Sequence, residues 1–198
     1  MKFFVNFLSA FRIASSFAII FTMMFGMYWT TFVLFLLAAI SDWFDGFLAR
    51  KYNVCTKLGG VMDHIGDKLL VVNTFILLAA MMPVWFIVVP IIIMIARELY
   101  ISGLREFLGT QKVEMPVPKA RFSMGKIKTT LQMIAIVVFL LLFAIAATIP
   151  QTDSRTMVWL INALPYVGIL CTWLALVASV WSATQYTFTF AEKLKQIK

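Results

Sequence analysis

Apolar residues dominate the chain in six long runs, which short polar breaks separate. The runs cover roughly residues 8–28, 30–50, 60–82, 84–106, 126–149 and 157–186. A helix needs about 20 predominantly apolar residues to cross the hydrocarbon core of a bilayer, and each run is long enough. Because backbone groups inside a bilayer must be hydrogen-bonded within the protein, such runs indicate helices. The pattern therefore predicts an all-α integral membrane protein with six transmembrane helices, the last of them long enough to tilt or to protrude into water.

Composition supports this prediction and excludes a soluble protein. Of the 198 residues, 62% are hydrophobic and 13% are charged, and the charged share is about half of that in soluble domains. No repeat or low-complexity tract divides the chain, so we expect a single membrane domain over residues 1–198. The first run is too long for a secretory signal peptide and is poor in cleavage-site residues, and we interpret it as retained.

The basic residues fall on one side of the predicted topology. With six spans, both termini lie on the same side, and every Lys and Arg except Arg155 falls toward it. The positive-inside rule makes that side cytoplasmic. The net charge of +8 then forms a belt that suits anionic lipid. We expect no nucleic-acid binding, because the basic residues are interspersed with spans and form no soluble module.

Four of the nine acidic residues lie within 26 positions, namely Asp42, Asp45, Asp63 and Asp67. A carboxylate at membrane depth is costly unless a partner compensates it, so these residues indicate a functional site. The first two are spaced i,i+3 and the last two i,i+4, so on helices each pair occupies one face. Two such faces together would offer the all-oxygen ligands that Mg²⁺ or Mn²⁺ prefers.

The same aspartates belong to the pattern D-x2-D-G-x2-A-R-x8-G-x3-D-x3-D, which the chain matches at every fixed position. On this pattern the chain resembles the CDP-alcohol phosphotransferase family. The blocks Ala96–Glu106 and Gly125–Gln132 are similar to the phosphatidylglycerophosphate synthase branch of that family. Asn6, Ser9 and Arg12 resemble the N-x2-T-x2-R motif of the same branch, with Ser in place of Thr. The resemblance covers about residues 5–135.

The resemblance implies an enzyme that transfers a phosphatidyl group from CDP-diacylglycerol to sn-glycerol 3-phosphate and releases CMP. It implies two Mg²⁺ or Mn²⁺ ions per site, bound by Asp42, Asp45, Asp63 and Asp67, with Asp67 also the expected general base. Contacts with the nucleotide and its diphosphate are expected from Asn6, Ser9, Gly46, Ala49, Arg50, Thr56 and Gly59. The acceptor phosphate is expected to bind Arg97, Arg105, Lys126 and Lys128. It further implies a homodimer in the bacterial inner membrane, with the active site facing the cytoplasm.

Several of these residues also have simpler explanations. Gly46 and Ala49 fit close helix packing, Arg50 fits an interfacial anchor, and Thr56 fits ordinary loop polarity. Arg97 lies deep in an apolar run, and its neighbour Glu98 is not expected to face it from position i+1. We therefore expect another helix or a substrate anion to neutralise Arg97.

Two alternatives stay open, one for the acceptor and one for the function. The same chemistry could use inositol phosphate or serine as acceptor. A divalent-cation transporter has less support, because transporters usually hold their ions near the midplane and often contain inverted repeats.

Overall fold

The computed structural model describes residues 2–52, 57–110, 124–148 and 155–197. This part of the chain forms six α-helices and no strand. The helices are α1 Lys2–Met24, α2 Tyr28–Tyr52, α3 Lys57–Met81, α4 Trp85–Thr110, α5 Met124–Thr148 and α6 Arg155–Ile197. They follow the six apolar runs and confirm the predicted all-α class.

Five helices in the described part of the chain are long and apolar enough to cross a membrane, and α2 adds a shorter apolar stretch, Tyr28–Ser41. The protein is therefore a multi-pass membrane protein. Helix α6 continues to Ile197, well past the predicted end at residue 186. Its 43 residues extend about 65 Å, roughly twice the hydrocarbon thickness of a bilayer.

Helix α1 ends earlier than its apolar run predicted. Gly26 has a φ of 72°, the left-handed conformation that glycine adopts without steric cost. The amide of Gly26 donates to the carbonyl of Met23 at 3.1 Å, and the amide of Met27 donates to Thr22 at 2.8 Å. These two bonds form the Schellman motif that closes a helix. The apolar run extends past the end of α1 because the residues that flank Gly26, Phe25 and Met27, are themselves apolar.

The chain divides into two compact units, and the single domain predicted above stays a prediction. The first unit contains Met1–Met81 and Met133–Gly168. In it α1 packs against α2 and α3, and α2 contacts α3. The buried apolar side chains of this helix trio include Ile19, Met23, Phe35, Leu70, Phe75 and Leu78.

Helices α5 and α6 meet in the first unit at a glycine. A Cβ atom on Gly168 would lie 2.7 Å from Cζ of Phe139, whose ring is fully buried. That separation is well inside van der Waals contact, so only a residue without a side chain fits. The start of α2 is joined to α5 in the same unit, where Tyr28 stacks on Phe143 with ring centroids 5.8 Å apart.

The second unit contains Met82–Gln132 and Ile169–Lys198. In it α4 and α6 run parallel, because contacts further along α4 also fall further along α6. Trp173 donates from Nε1 to the carbonyl of Phe86 at 3.0 Å, and further along Phe107 packs edge-on against Phe190. The first of these contacts has a local cause. Pro90 lies inside α4 and has no amide hydrogen, so the carbonyl four residues earlier, that of Phe86, loses its helical donor. The indole of Trp173 replaces that donor.

Candidate active site

The four aspartates lie on two helices that contact each other. Asp42 and Asp45 are on α2, and Asp63 and Asp67 are on α3. Both pairs therefore have the helical backbone that the spacing argument requires. Four carboxylates on adjoining helices are a donor set that suits a hard divalent cation. Among the described side chains there is no cluster of three metal-ligating groups, and three of the four aspartate side chains lie outside that description.

Asp67 is the aspartate whose side chain the structure describes, and Arg12 of α1 is its partner. Nη1 of Arg12 donates to Oδ1 of Asp67. The Arg12 side chain is fully buried, whereas the Asp67 side chain is 39% exposed. A buried guanidinium is costly without a carboxylate, so this ion pair allows Arg12 to lie inside the helix trio. The pair fixes one carboxylate oxygen while the Asp67 side chain stays accessible to a ligand.

Gly66 determines how closely α1 approaches the acidic segment of α3. It is buried, and a Cβ at this position would lie 3.4 Å from Cγ1 of Ile13 and 3.6 Å from Cδ of Arg12. A methyl group here would make ordinary van der Waals contact with α1, whereas a side chain that extends beyond Cβ would push α1 away and separate Arg12 from Asp67. Ser9 is also buried, so the polar stripe of α1 at Ser9 and Arg12 faces the protein interior and not the membrane interface. Nucleotide binding by Ser9 stays a prediction.

The other predicted nucleotide contacts fall where the structure gives no side-chain detail. Thr56 lies outside the described residues. The backbone is helical at the remaining positions, whose side chains lie outside the description: Asn6, Gly46, Ala49, Arg50 and Gly59. Their roles stay predictions.

In the second unit, Arg97 is held on three sides. Nε donates to the carbonyl of Ser179 at 3.2 Å, Nη2 donates to Oγ of Ser182 at 3.0 Å, and Nη1 donates to Oε1 of Glu98 at 3.0 Å. The expectation that Glu98 does not face Arg97 was wrong. Arginine's long side chain can bring its guanidinium to an adjacent carboxylate. Another helix was expected to neutralise Arg97, but the carboxylate comes from α4 itself, and α6 adds two uncharged acceptors, at Ser179 and Ser182.

Lys128, near the start of α5, uses the same carboxylate. Its Nζ donates to Oε1 of Glu98. The side chains of Arg97 and Lys128 are 9% and 8% exposed, and that of Glu98 is 20% exposed. Glu98 thus joins two nearly buried cations from α4 and α5.

Arg105 has a different environment, one turn from the end of the α4 span. Nη2 donates to the hydroxyl of Tyr186 at 2.9 Å, and the guanidinium carbon lies 5.0 Å from the centroid of the same ring. No carboxylate in the described part of the chain lies within ion-pair distance of Arg105. Lys126 is exposed at the start of α5. The four predicted acceptor-phosphate residues therefore form two groups. Arg97 and Lys128 are paired with Glu98, whereas Arg105 and Lys126 are more accessible.

Sequence reasoning missed the α6 partners of these cations. Ser179, Ser182 and Tyr186 are spaced i, i+3 and i+7 in an apolar run, which places them on one helix face. For Ser182 and Tyr186 this spacing was a readable signal, because polar side chains within a membrane helix usually face protein. Ser179 accepts through its backbone carbonyl, which no side-chain pattern marks. Glu98 was not predicted as a partner of Arg97, because adjacent residues point to different sides of a helix.

The fold and these sites define a class of protein: an α-helical, multi-pass membrane protein with carboxylates on one helix pair and buried cations on another. Within that class, the chain belongs to the CDP-alcohol phosphatidyltransferase family, whose model matches residues 3–181. The match confirms the resemblance and extends it into α6.

Relatives of known name match most of the chain. It is 36% identical over 161 residues to the CDP-diacylglycerol–glycerol-3-phosphate 3-phosphatidyltransferase of Shigella flexneri serotype 5b, covering 80% of this chain and 78% of the relative. It is 31% identical over 175 residues to the protein of the same name from Blochmanniella floridana, covering 87% and 82%. For the Salmonella typhimurium protein of that name, the identity is 36% over 154 residues, covering 78% and 74%.

Proposed function

We propose that this protein transfers the phosphatidyl group of CDP-diacylglycerol to sn-glycerol 3-phosphate, giving phosphatidylglycerophosphate and CMP. The observation that carries the proposal is the identity of 31% to 36%, over most of both chains, with relatives named for this reaction. The complete acidic signature and the cations of the second unit support it, because the reaction brings a diphosphate and a second phosphate to one enzyme.

Asp67 is the proposed general base. It takes the proton from the acceptor hydroxyl as the hydroxyl oxygen attacks the lipid-side phosphorus. The bond from that phosphorus to the oxygen of CMP breaks, and CMP leaves with the electron pair. Arg12 positions Asp67 by holding Oδ1 from the buried side. A base must meet the hydroxyl within hydrogen-bond distance, so this orientation contributes to the rate.

The family generally depends on divalent metal ions, and the acidic donors of this chain fit that requirement. When bound, Mg²⁺ or Mn²⁺ would neutralise the diphosphate and polarise its phosphorus. We propose that two ions are held by Asp42, Asp45, Asp63 and Asp67. The nucleotide and diphosphate would contact Asn6, Ser9, Gly46, Ala49, Arg50, Thr56 and Gly59.

We assign the acceptor phosphate to Arg97, Arg105, Lys126 and Lys128. Guanidinium groups bind phosphate bidentately, which favours an acceptor that carries its own phosphate over serine. We also propose that the protein is a homodimer in the bacterial inner membrane. The one-sided distribution of basic residues supports cytoplasmic termini and a cytoplasm-facing active site.

The test is an acceptor screen with purified protein in mixed micelles that contain CDP-diacylglycerol. CMP release is measured with sn-glycerol 3-phosphate, inositol phosphate and serine in parallel. We expect turnover with sn-glycerol 3-phosphate, its loss on chelation by EDTA, and its recovery with added Mg²⁺ or Mn²⁺. Turnover with serine alone would refute the assignment of the acceptor.

A further inference from the structure

Helix α6 carries a row of polar groups that the proposed reaction leaves unassigned. Ser179, Ser182 and Tyr186 lie on one face, and in the second unit this face meets α4. Arg97 donates to the backbone carbonyl of Ser179 and to the hydroxyl of Ser182, and Arg105 donates to the hydroxyl of Tyr186. Each member of the row is thus a partner of a cation that we assign to the acceptor phosphate.

The two arginines differ in what surrounds them. Arg97 forms an ion pair with Glu98, whereas Arg105 has no carboxylate partner in the described part of the chain. Tyr186 holds Arg105 by its hydroxyl at 2.9 Å and by its ring face, 5.0 Å from the guanidinium carbon. Neither group carries a charge. Tyr186 therefore orients the Arg105 cation without cancelling its attraction for an anion.

The partners of the two arginines follow one another along α6. Arg97 and Arg105 are eight residues apart, about 12 Å along α4, while Ser182 and Tyr186 are four residues apart, about 6 Å along α6. Because α4 and α6 run parallel, the order of the two arginines along α4 matches the order of their partners along α6.

We propose that Tyr186 is a positioning residue that presents Arg105 to the phosphate of the acceptor. The inference rests on the proposed function, because it requires an acceptor that carries a phosphate. Tyr186 acts through Arg105 and does not touch the reacting atoms. Loss of its hydroxyl therefore weakens acceptor binding and leaves the chemical step and the binding of CDP-diacylglycerol unchanged.

The experiment compares Tyr186→Phe with Tyr100→Phe, since the chain provides a matched control. The hydroxyl of Tyr100 also hydrogen-bonds from α4 to α6, to Oγ1 of Thr187 at 3.3 Å, and it contacts no cation in the described structure. Steady-state CMP release gives kcat and the KM of each substrate. We expect Tyr186→Phe to raise the KM for sn-glycerol 3-phosphate about tenfold, the effect of one hydrogen bond to a charged group. Tyr100→Phe should leave that KM unchanged.

A second measurement tests whether Tyr186 changes the KM for sn-glycerol 3-phosphate by acting on Arg105. Inorganic phosphate, used as a competitive probe against sn-glycerol 3-phosphate, should inhibit Tyr186→Phe more weakly than wild type by a similar factor. In an Arg105→Ala background, Tyr186→Phe should have no further effect on KM. Thermal unfolding of each variant in detergent confirms that it is folded.

Three results would overturn the proposal: equal KM increases in both Tyr→Phe variants, a change in kcat alone, or an undiminished effect of Tyr186→Phe without Arg105. Failure of the proposed function is separate, because it is measured on the unaltered chain. Wild-type protein that releases CMP only with an acceptor lacking phosphate would refute both the function and this inference. Wild-type activity with sn-glycerol 3-phosphate, together with any of the three variant results, refutes the role of Tyr186 alone.

Discussion

Replacement of Trp173 by Phe should destabilise the protein by removing the donor to a proline-exposed carbonyl. Pro90 cannot donate to the carbonyl of Phe86, and the indole of Trp173 does so at 3.0 Å. Phenylalanine keeps an aromatic ring at this site but has no N–H group. An unsatisfied buried acceptor costs about 1–3 kcal/mol. For a chain of this size, about 2 kcal/mol corresponds to a fall in Tm of roughly 4–8 °C.

The packing difference between the two rings must be separated from the lost hydrogen bond. Pro90→Ala provides the separation, because alanine restores an amide donor four residues after Phe86. In that background the carbonyl is satisfied within α4, and only the packing difference should remain. Trp173→Phe should therefore cost about 1–2 kcal/mol less in the Pro90→Ala protein than in wild type.

Unfolding in mixed micelles, titrated with denaturing detergent and monitored by circular dichroism, would measure all four proteins of this cycle. A non-zero coupling of the expected sign shows that Trp173 acts through the carbonyl that Pro90 exposes. If Trp173→Phe lowers the free energy of unfolding equally in both backgrounds, the reasoning is refuted and Trp173 contributes through packing alone.

Three further predictions concern the first unit. Gly168→Ala should lower the free energy of unfolding by about 1–3 kcal/mol, because its methyl group overpacks against Phe139. Gly103→Ala is the control and should be neutral or stabilising, because an added Cβ there meets nothing within 4 Å. Equal denaturation midpoints for the two variants would contradict the close packing at Gly168. Asp67→Asn should lower CMP release by about 10²-fold or more, and a variant with wild-type turnover would exclude Asp67 as the base. The same substitution should cost about 3 kcal/mol, because Arg12 stays buried opposite a neutral amide, and Asp67→Glu should recover part of this loss in the same unfolding assay.

Much of the architecture was predictable from the chain because it depends on local quantities. Run length and hydropathy predicted all six helices, and the aspartate spacing predicted two acidic helix faces. The errors arose where local rules compete. The left-handed Gly26 ended α1 inside an apolar run, and Glu98 reached Arg97 from i+1 because the guanidinium lies at the end of a long, flexible stem.

The amino-acid sequence by itself determined the helical membrane class, the acidic signature and membership of the family, since each is a property of residue type and spacing. Only the tertiary structure decided which groups partner the cations and the carbonyl that Pro90 exposes. Arg12 meets Asp67 from 55 positions away, Arg105 meets Tyr186 from 81, and Trp173 meets Phe86 from 87. Such pairings depend on the register in which helices pack. Hydropathy cannot specify that register, because every apolar face is equally suited to lipid and to another helix.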